Sequence, residues 1–306
     1  MSVLRIQNLS KDYHTGWGKT LRALNDLSLE VEEGEIFGFL GPNGAGKTTT
    51  IKILLSIIFP TKGKAWLLDK EIGDALLMHK IGYMPENPYF YRFLTGEEFL
   101  LFYAQLSGMP REDAKKKAAR LLEVVNLKHA AKVRIAQYSK GMVTRVGLAQ
   151  ALITDPALLL LDEPMSGLDP IGRKEIRNLI HQLKEEKKTI FFCSHILADI
   201  EMLCNRIAIL NKGDLVKLGT VSEILDSGPT HYTVTFDNLS PQAFEQVKGM
   251  AAECQDYAGV THFNAKDRSH AQQLIDAATG QGAELREMRL DRGTLEEYFV
   301  REVGRE

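Results

Sequence analysis

A segment near the start of the chain has the residue types and spacing needed to bind the phosphate groups of a nucleotide. The letters GPNGAGKT over residues 41–48 match G-x-x-x-x-G-K-[ST] at every fixed position. They follow the apolar run IFGFL, which is typical of a buried strand. Glycines allow a tight turn with inward N–H groups, and a helix that begins at Gly46 or Lys47 adds its positive dipole end. We therefore predict a phosphate-binding loop that comprises Gly41, Pro42, Asn43, Gly44, Ala45, Gly46, Lys47, Thr48 and Thr49.

Two adjacent carboxylates at the end of a second apolar run have the chemistry that hydrolysis requires. The run LLLLDEP covers residues 158–164, and four leucines without a polar residue between them favour a parallel strand buried on both faces. We expect Asp162 to hold a magnesium ion, with Thr48 as its partner ligand. Glu163 is expected to orient or deprotonate the attacking water. The predicted reaction is hydrolysis of the bound nucleotide.

The elements that must position these residues alternate between strand and helix. Apolar β-rich runs and helical periodicity alternate over residues 34–56 and 157–219, which predicts a mainly parallel sheet. A helical subdomain interrupts this pattern over about residues 87–155. Within it, the run TGEE that starts at Thr95 predicts a helix-capping box. The predicted fold class is α/β, a P-loop NTPase core with a helical subdomain.

The pattern changes after residue 219 and predicts a small C-terminal α+β domain. Alternation predicts strands over residues 231–236 and 260–263, and helical periodicity predicts a helix over residues 269–278. No set of residues with ligand-binding chemistry is found in this part of the sequence, so dimerisation, ligand sensing and bracing are all open roles. The predicted domains are residues 1–219 and residues 220–306.

Composition limits the classes of function. With 38 basic and 40 acidic residues, the formal net charge is −2, which does not favour binding to nucleic acid. Three cysteines without C-x-x-C spacing indicate buried, reduced thiols. No apolar run approaches the length needed to span a bilayer, so a soluble, cytoplasmic protein is expected.

Five ordered motifs together resemble the ATP-binding cassette superfamily. They are the loop at 41–48, YSKGM at 138–142, DEP at 162–164, SGLD at 166–169 and SH at 194–195. The resemblance covers about residues 1–225. It implies an ATP-hydrolysing, Mg²⁺-dependent motor subunit of an exporter, which works as a homodimer or pseudo-dimer of cassettes. It also implies integral membrane permease subunits as partners, no nucleic acid partner, and a peripheral location at the inner face of the cell membrane.

The YSKGM segment resembles the family signature, usually LSGGQ. The resemblance implies that Ser139, Gly141 and Met142 contact the γ-phosphate of a nucleotide held by a second cassette. Lys140 and Met142 depart from the usual signature and resemble a variant found among exporters with separately encoded permeases. Ser139 would equally serve as an ordinary helix cap.

The resemblance assigns roles to three further residues. It implies that His195 contacts the γ-phosphate and helps to hold the catalytic carboxylate and the water. It implies that Asp169 communicates between the two cassettes. It also implies that Tyr13 stacks on adenine, although Tyr13 could simply cover the predicted strand at residues 4–6.

Glu86 is a departure from the family pattern. The family usually has Gln here, in a loop that meets magnesium and water and links the nucleotide to the membrane partner. An ionised Glu86 could still ligate magnesium and take part in catalysis, but it cannot donate a hydrogen bond to water. The aromatic-rich segment at residues 87–93 follows. Its rings either fill the hydrophobic centre of the helical subdomain or form a groove for a short permease helix.

Sequence features speak against two alternative functions. A soluble cassette ATPase that acts on nucleic acid or ribosomes generally has two cassettes in one chain or a long coiled-coil insertion, and neither is found here. The run NKGD at residues 211–214 matches a guanine-reading pattern of GTPases. Because it lies between two strand-like runs, we predict a hairpin turn instead.

Overall fold

The computed structural model describes residues 2–15, 18–226, 230–237, 239–251, 253–257, 260–292 and 294–303. The chain divides into two compact units, Met1–Val221 and Ser222–Glu306. Among the described residues, no helix is both long enough and apolar enough to cross a bilayer.

The first unit contains ten of the named strands and seven of the α-helices. Its strands are β1 (Ser2–Thr15), β2 (Lys19–Glu32), β3 (Ile36–Leu40), β4 (Lys62–Leu67), β5 (Lys70–Glu71), β6 (Ile81–Met84), β7 (Leu158–Asp162), β8 (Thr189–Ser194), β9 (Arg206–Asn211) and β10 (Asp214–Thr220). Its helices are α1 (Lys47–Leu54), α2 (Ala75–Met78), α3 (Gly96–Leu106), α4 (Arg111–Val124), α5 (Lys140–Ala151), α6 (Pro170–Glu185) and α7 (Leu197–Leu203).

The main sheet is six-stranded, in the order β10-β9-β3-β8-β7-β6. Neighbouring strands from β9 to β6 run parallel, and β10 pairs with β9 antiparallel. Every residue of β3, β7 and β8 is buried, which confirms the buried strand predicted at residues 36–40 and the doubly covered parallel strand predicted from the four leucines of β7. Because these three strands are adjacent and parallel, their carboxyl ends meet at one edge of the sheet. The predicted phosphate loop, carboxylates and histidine all follow those ends.

Three α-helices lie in the segment between β6 and β7. Helices α3, α4 and α5 contact one another, and buried apolar residues such as Phe99 and Leu122 face the interior. The predicted capping box is confirmed: Glu98 N donates to Thr95 Oγ1 at 3.2 Å, and Thr95 N donates to Glu98 Oε2 at 2.9 Å. The predicted hairpin at residues 211–214 is also confirmed, as the turn between β9 and β10.

A second sheet in this unit was not predicted from the sequence. It has the order β2-β1-β4-β5, and its strands pair antiparallel. The long β1–β2 pair contains several register shifts. Asn8 and Asp26 both adopt left-handed backbone conformations there, with φ of 50° and 55°, and their side chains are hydrogen bonded at 2.9 Å. These bulges interrupt the alternation of apolar residues on which a strand prediction depends.

The second unit is a four-stranded antiparallel sheet with helices. The strand order is β12-β13-β11-β14. Its apolar core includes Val234, Phe236 and Phe263 on the strands and Leu274 on a helix. The predicted strands at 231–236 and 260–263 and the predicted helix at 269–278 are confirmed. The elements are α8 (Val221–Asp226), β11 (Thr230–Asp237), α9 (Pro241–Lys248), β12 (Glu253–Tyr257), β13 (Val260–Ala265), α10 (Arg268–Thr279), β14 (Glu284–Arg292) and α11 (Leu295–Val303).

Candidate nucleotide-binding site

The glycine-rich loop leads from β3 into α1, and its backbone conformation needs glycine. Gly46 precedes α1 with φ of 109°, and a β-carbon there would lie 2.6 Å from the carbonyl oxygen of Ala23. Lys47 is buried at 6% exposure, and its Nζ donates to the carbonyl oxygens of Gly41 at 2.6 Å and Pro42 at 3.3 Å. The loop therefore encloses the Lys47 side chain, whose ammonium group is hydrogen bonded to carbonyl oxygens of the same loop.

A cavity of about 250 Å³ opens above this loop. The loop residues from Pro42 to Thr49 form its floor, and Glu86 and Glu163 contribute carboxylates to its wall. Tyr13 also lines the cavity, as the adenine-stacking prediction requires. The remaining lining residues are Leu21 and Ala23, both on β2.

Leu21 and Ala23 were missed in the sequence. Leu21 is the register partner of Tyr13 across the β1–β2 pair, and it is 60% exposed. A large exposed leucine beside an aromatic ring gives the cavity an apolar end, which suits the faces of a nucleotide base. An exposed leucine following a lysine-threonine pair gave no signal of this role in the sequence.

Asp162 and Thr48 come together beside the loop. Thr48 Oγ1 donates to Asp162 Oδ2 at 3.2 Å, whereas Asp162 Oδ1 is buried and has no hydrogen-bond partner. Burial raises the pKa of Asp162 to about 6; the Thr48 hydrogen bond opposes this rise, and the charges of Glu163 and Glu86 add to it. A buried carboxylate oxygen without a partner, next to a hydroxyl, fits the oxygen ligands that Mg²⁺ prefers.

Glu163 is turned out of the line of β7 by a left-handed backbone conformation, with φ of 51°. Its carboxylate lies 3.4 Å from Lys47 Nζ and 2.7 Å from His195 Nδ1. The backbone N–H of His195 also donates to the same carboxylate oxygen at 3.3 Å. Because Glu163 is only 6% exposed, its contacts with these neighbours are screened less than they would be in bulk water. The structure thus brings Lys47, Glu163 and His195 into one chain of contacts.

Seven predicted site residues do not line this cavity. Three of them, Gly41, Asp162 and His195, contact the lining residues Lys47, Thr48 and Glu163 respectively. Ser139 and Asp169 instead cap helices: Ser139 Oγ accepts from Met142 N at 3.3 Å, and Asp169 Oδ1 accepts from Gly172 N at 2.8 Å. Gly141 and Met142 lie in the first turn of α5, where backbone N–H groups have no helical acceptor. One chain therefore presents two separate parts of the predicted site.

The aromatic-rich segment after Glu86 divides between the interior and the surface. Phe90 packs 4.6 Å from the fully buried Phe99, measured between ring centroids. The other rings are exposed, and Phe102 of α3 joins them at 5.6 Å from Tyr91. Of the two interpretations left open by the sequence, filling of the subdomain centre describes Phe90 but not the exposed rings. We call the exposed rings the aromatic surface, which consists of Tyr89 (101% exposed), Tyr91 (49%), Phe93 (70%) and Phe102 (41%).

The loop after β3, the carboxylates after β7 and the histidine after β8 define a P-loop nucleoside triphosphatase with an α/β core. The ABC transporter family profile matches residues 24–166. An uncharacterized ABC transporter ATP-binding protein of Synechocystis sp. is 43% identical over 308 residues, which cover 99% of this chain and 85% of the relative. The chain belongs to the ATP-binding subunits of ABC transporters, and it is an ATPase.

Two further similarities are informative. The bacitracin transport ATP-binding protein BcrA of Bacillus licheniformis is 34% identical, covering 99% of this chain and 98% of the relative. A solved dimeric structure of the cassette MJ0796, in a post-hydrolysis state with ADP and Pi, is 26% identical. It superposes with a TM-score of 0.62 over 71% of this chain and 98% of that one.

Proposed function

We propose that this chain is the motor subunit of an exporter, which clamps two ATP molecules between two cassettes arranged head to tail. The observation that carries this proposal is the separation of the site into two parts. Residues 42–49 and Glu163 line the cavity, and Asp162 and His195 contact the lining residues Thr48 and Glu163. Ser139, Gly141, Met142 and Asp169 lie outside it. In a head-to-tail dimer, the second part of each chain completes the cavity of its partner. The solved structure of the similar cassette MJ0796 is dimeric, which supports the association of two chains.

The chemistry assigned to the cavity is hydrolysis of the terminal phosphate. Thr48 and Asp162 would hold a Mg²⁺ ion, with Glu86 beside them, and the ion would neutralise charge on the phosphates. Within the described residues, no three His, Cys, Asp or Glu side chains are grouped to hold a metal by themselves. This fits an ion that completes its shell with phosphate and water oxygens.

Glu163 is the general base of this mechanism. Its carboxylate takes the proton of the attacking water. His195 Nδ1 lies 2.7 Å from Oε2 of that carboxylate and holds it in place. Lys47 lies 3.4 Å from Glu163 and stabilises negative charge on the phosphates. Glu86 acts from the wall of the cavity, where its carboxylate changes the charge around the metal rather than donating to water.

The aromatic surface is the proposed docking site for a short helix of a membrane permease. It adjoins a cavity of about 390 Å³ that is lined by Glu86, by Tyr89 and Phe90, and by Tyr138 and Thr144 among others. Rings at this density, exposed on a subunit that works beside a membrane partner, suit an apolar helix face. Because the cavity includes Glu86, a helix seated there would be linked to the nucleotide. Such docking would hold the protein at the inner face of the membrane.

The functional division that we propose assigns motor activity to residues 1–219. Residues 220–306 form an accessory domain in this proposal. Its role as brace, sensor or dimerisation element is separate from the chemistry of the cavity.

The experiment is purification from native membranes. A Tyr89→Ala and Phe93→Ala double variant should lose at least about tenfold of its copurifying integral membrane protein, because truncating buried interface aromatics costs about 2 kcal/mol or more. Its ATP binding should be unchanged. The matched control is Phe59→Ala, since Phe59 is an equally exposed aromatic (72%) outside the aromatic surface. Recovery of nucleic acid in place of a membrane protein, or equal recovery with all variants, would contradict the proposal.

A further inference from the structure

The nucleotide cavity carries an excess of negative charge. Among the described residues that line it, Lys47 contributes a positively charged ammonium group, whereas Glu86 and Glu163 contribute two carboxylates. Asp162, hydrogen bonded to Thr48 at the same place, is a third acid. A bound nucleoside triphosphate adds several more negative charges, of which Mg²⁺ offsets only a part. Further positive charge from outside the cavity would therefore stabilise the bound state.

Lys140 is an exposed ammonium next to the Ser139 cap at the start of α5. Its side chain lies across Gly167, where φ is 66° and a β-carbon would overlap Lys140 Nζ. In the part of the chain that the structure describes, no hydrogen bond or ion pair engages this ammonium. The stem of Lys140 is thus positioned by packing while its charge is left without a partner.

Contacts between α5 and α6 support the segment that carries Lys140. Arg145, on α5, lies 3.8 Å from Glu175 on α6. Helix α6 begins after Asp169, whose carboxylate caps it, and Gly167 lies two residues before Asp169. The Arg145–Glu175 contact and the packing of Lys140 over Gly167 therefore hold α5 against α6 and the segment that precedes it. Ser139, Lys140 and Asp169 therefore lie on one edge of the chain. In the proposed dimer, each chain presents this edge to the other.

We propose that Lys140 supplies positive charge to the nucleotide cavity of the partner subunit and offsets the carboxylate of the partner's Glu86. The inference rests on the proposed head-to-tail dimer. Glu86 and Lys140 both depart from the family pattern, and they do so with opposite sign: an acid replaces Gln, and a base replaces Gly. The two departures form a compensating pair in which each cavity holds its own Glu86 and the Lys140 of the other chain.

A pairing inside one chain is the competing arrangement. Glu86 and Lys140 of the same chain both line the cavity of about 390 Å³, although they form no ion pair there. The two arrangements differ in when they act. Pairing inside one chain would alter ATP binding by the monomer, whereas pairing across the interface acts only when two chains associate.

The experiment measures dimer formation by sedimentation velocity with the full-length chain, saturating ATP and Mg²⁺, in a Glu163→Gln parent. Lys140→Met keeps the stem over Gly167 and removes the charge, so we expect a dimer dissociation constant about tenfold higher. Lys140→Arg keeps the charge and should stay within about threefold of the parent. Lys140→Met in a Glu86→Gln background should cost about threefold or less. These factors convert at about 1.4 kcal/mol for each tenfold change. Binding of a fluorescent ATP analogue to the dilute monomer should not differ among Lys140 variants.

The outcomes separate the inference from the proposed function. Equal cost of Lys140→Met with and without Glu86→Gln would overturn the compensating pair while leaving the dimer intact. A change in monomer affinity for the analogue, with dimerisation unaffected, would overturn the action across the interface. A parent that stays monomeric at saturating ATP would refute the head-to-tail dimer itself. A reduced salt sensitivity of the dimer in Lys140→Met would support the inference.

Discussion

Replacing Glu163 by glutamine tests the assignment of the general base. The substitution preserves side-chain size and removes one charge and one proton acceptor. In the structure, the carboxylate contacts Lys47 at 3.4 Å and His195 at 2.7 Å. Lys47 keeps its carbonyl acceptors on Gly41 and Pro42, so no buried ammonium is left without partners. The amide can still accept from His195. We therefore expect the fold to be retained.

The expected effect on turnover follows from the loss of base catalysis. Removing a positioned general base lowers a rate by about 10²- to 10⁴-fold, which corresponds to about 3–5 kcal/mol of activation free energy. ATP should remain bound, because the loop residues and Asp162 are unchanged. Phosphate release at saturating ATP measures the first effect. Retention of labelled ATP in a dimer on gel filtration measures the second.

A matched control uses an acid at the amino end of β3, opposite the sheet edge that carries Glu163. Glu35 immediately precedes β3 and lies 3.0 Å from Arg206, with its side chain 12% exposed. Glu35→Gln makes the same chemical change in a similarly covered ion pair, away from the loop that follows β3. It should leave turnover within about twofold of the wild type. A Glu163→Gln chain that hydrolyses ATP within about threefold of the wild-type rate would refute the assignment of Glu163 as the base.

Three further predictions concern the cavity wall, the stacking of the adenine base and the protein core. Glu86→Ala should slow hydrolysis or alter its coupling in the assembled transporter while ATP affinity is largely kept, and unchanged turnover there would contradict the role of Glu86. Tyr13→Ala should raise the KM for ATP by about 5- to 30-fold, from about 1–2 kcal/mol of lost stacking, with a smaller change in kcat; Tyr13→Phe should behave as the wild type. Asp199→Ala should lower the free energy of unfolding in urea by about 1–3 kcal/mol, because it breaks the 3.1 Å contact of a buried carboxylate with Arg177; a change below about 0.5 kcal/mol would mean that the pair contributes little.

The sequence was most informative where one residue type has one physical reason to be there. Four leucines before Asp162 predicted a strand covered on both faces, and β7 is buried throughout. The glycines of the loop predicted a tight turn, and Gly46 has the positive φ of such a turn, although its close approach to the carbonyl oxygen of Ala23 was seen only in the structure. Capping boxes were readable for the same reason, since Thr95 and Glu98 satisfy each other locally.

Some of the elements that sequence reasoning missed, wholly or in part, have a broken periodicity; of β1, only residues 4–6 were predicted as strand. Strands β1 and β2 contain bulges, and β14 has a register shift against β11 that disturbs the spacing between Leu285 and Met288. Consequently the apolar end of the cavity at Leu21 was not foreseen. The packing of Lys140 over Gly167 was also hidden, because residues far apart in the chain meet only in the folded protein.

The claim that two chains complete each other's site is tested most directly by mixing two inactive variants. Ser139→Arg damages the edge that a chain lends, and Lys47→Ala damages the cavity that it keeps, so each variant alone should be inactive. In a mixed dimer, the intact cavity of the first faces the intact edge of the second. An equimolar mixture should recover about a quarter of the wild-type hydrolysis rate, because half the dimers are mixed and each has one intact site of two. No recovery on mixing, or full activity of Ser139→Arg alone, would contradict the account.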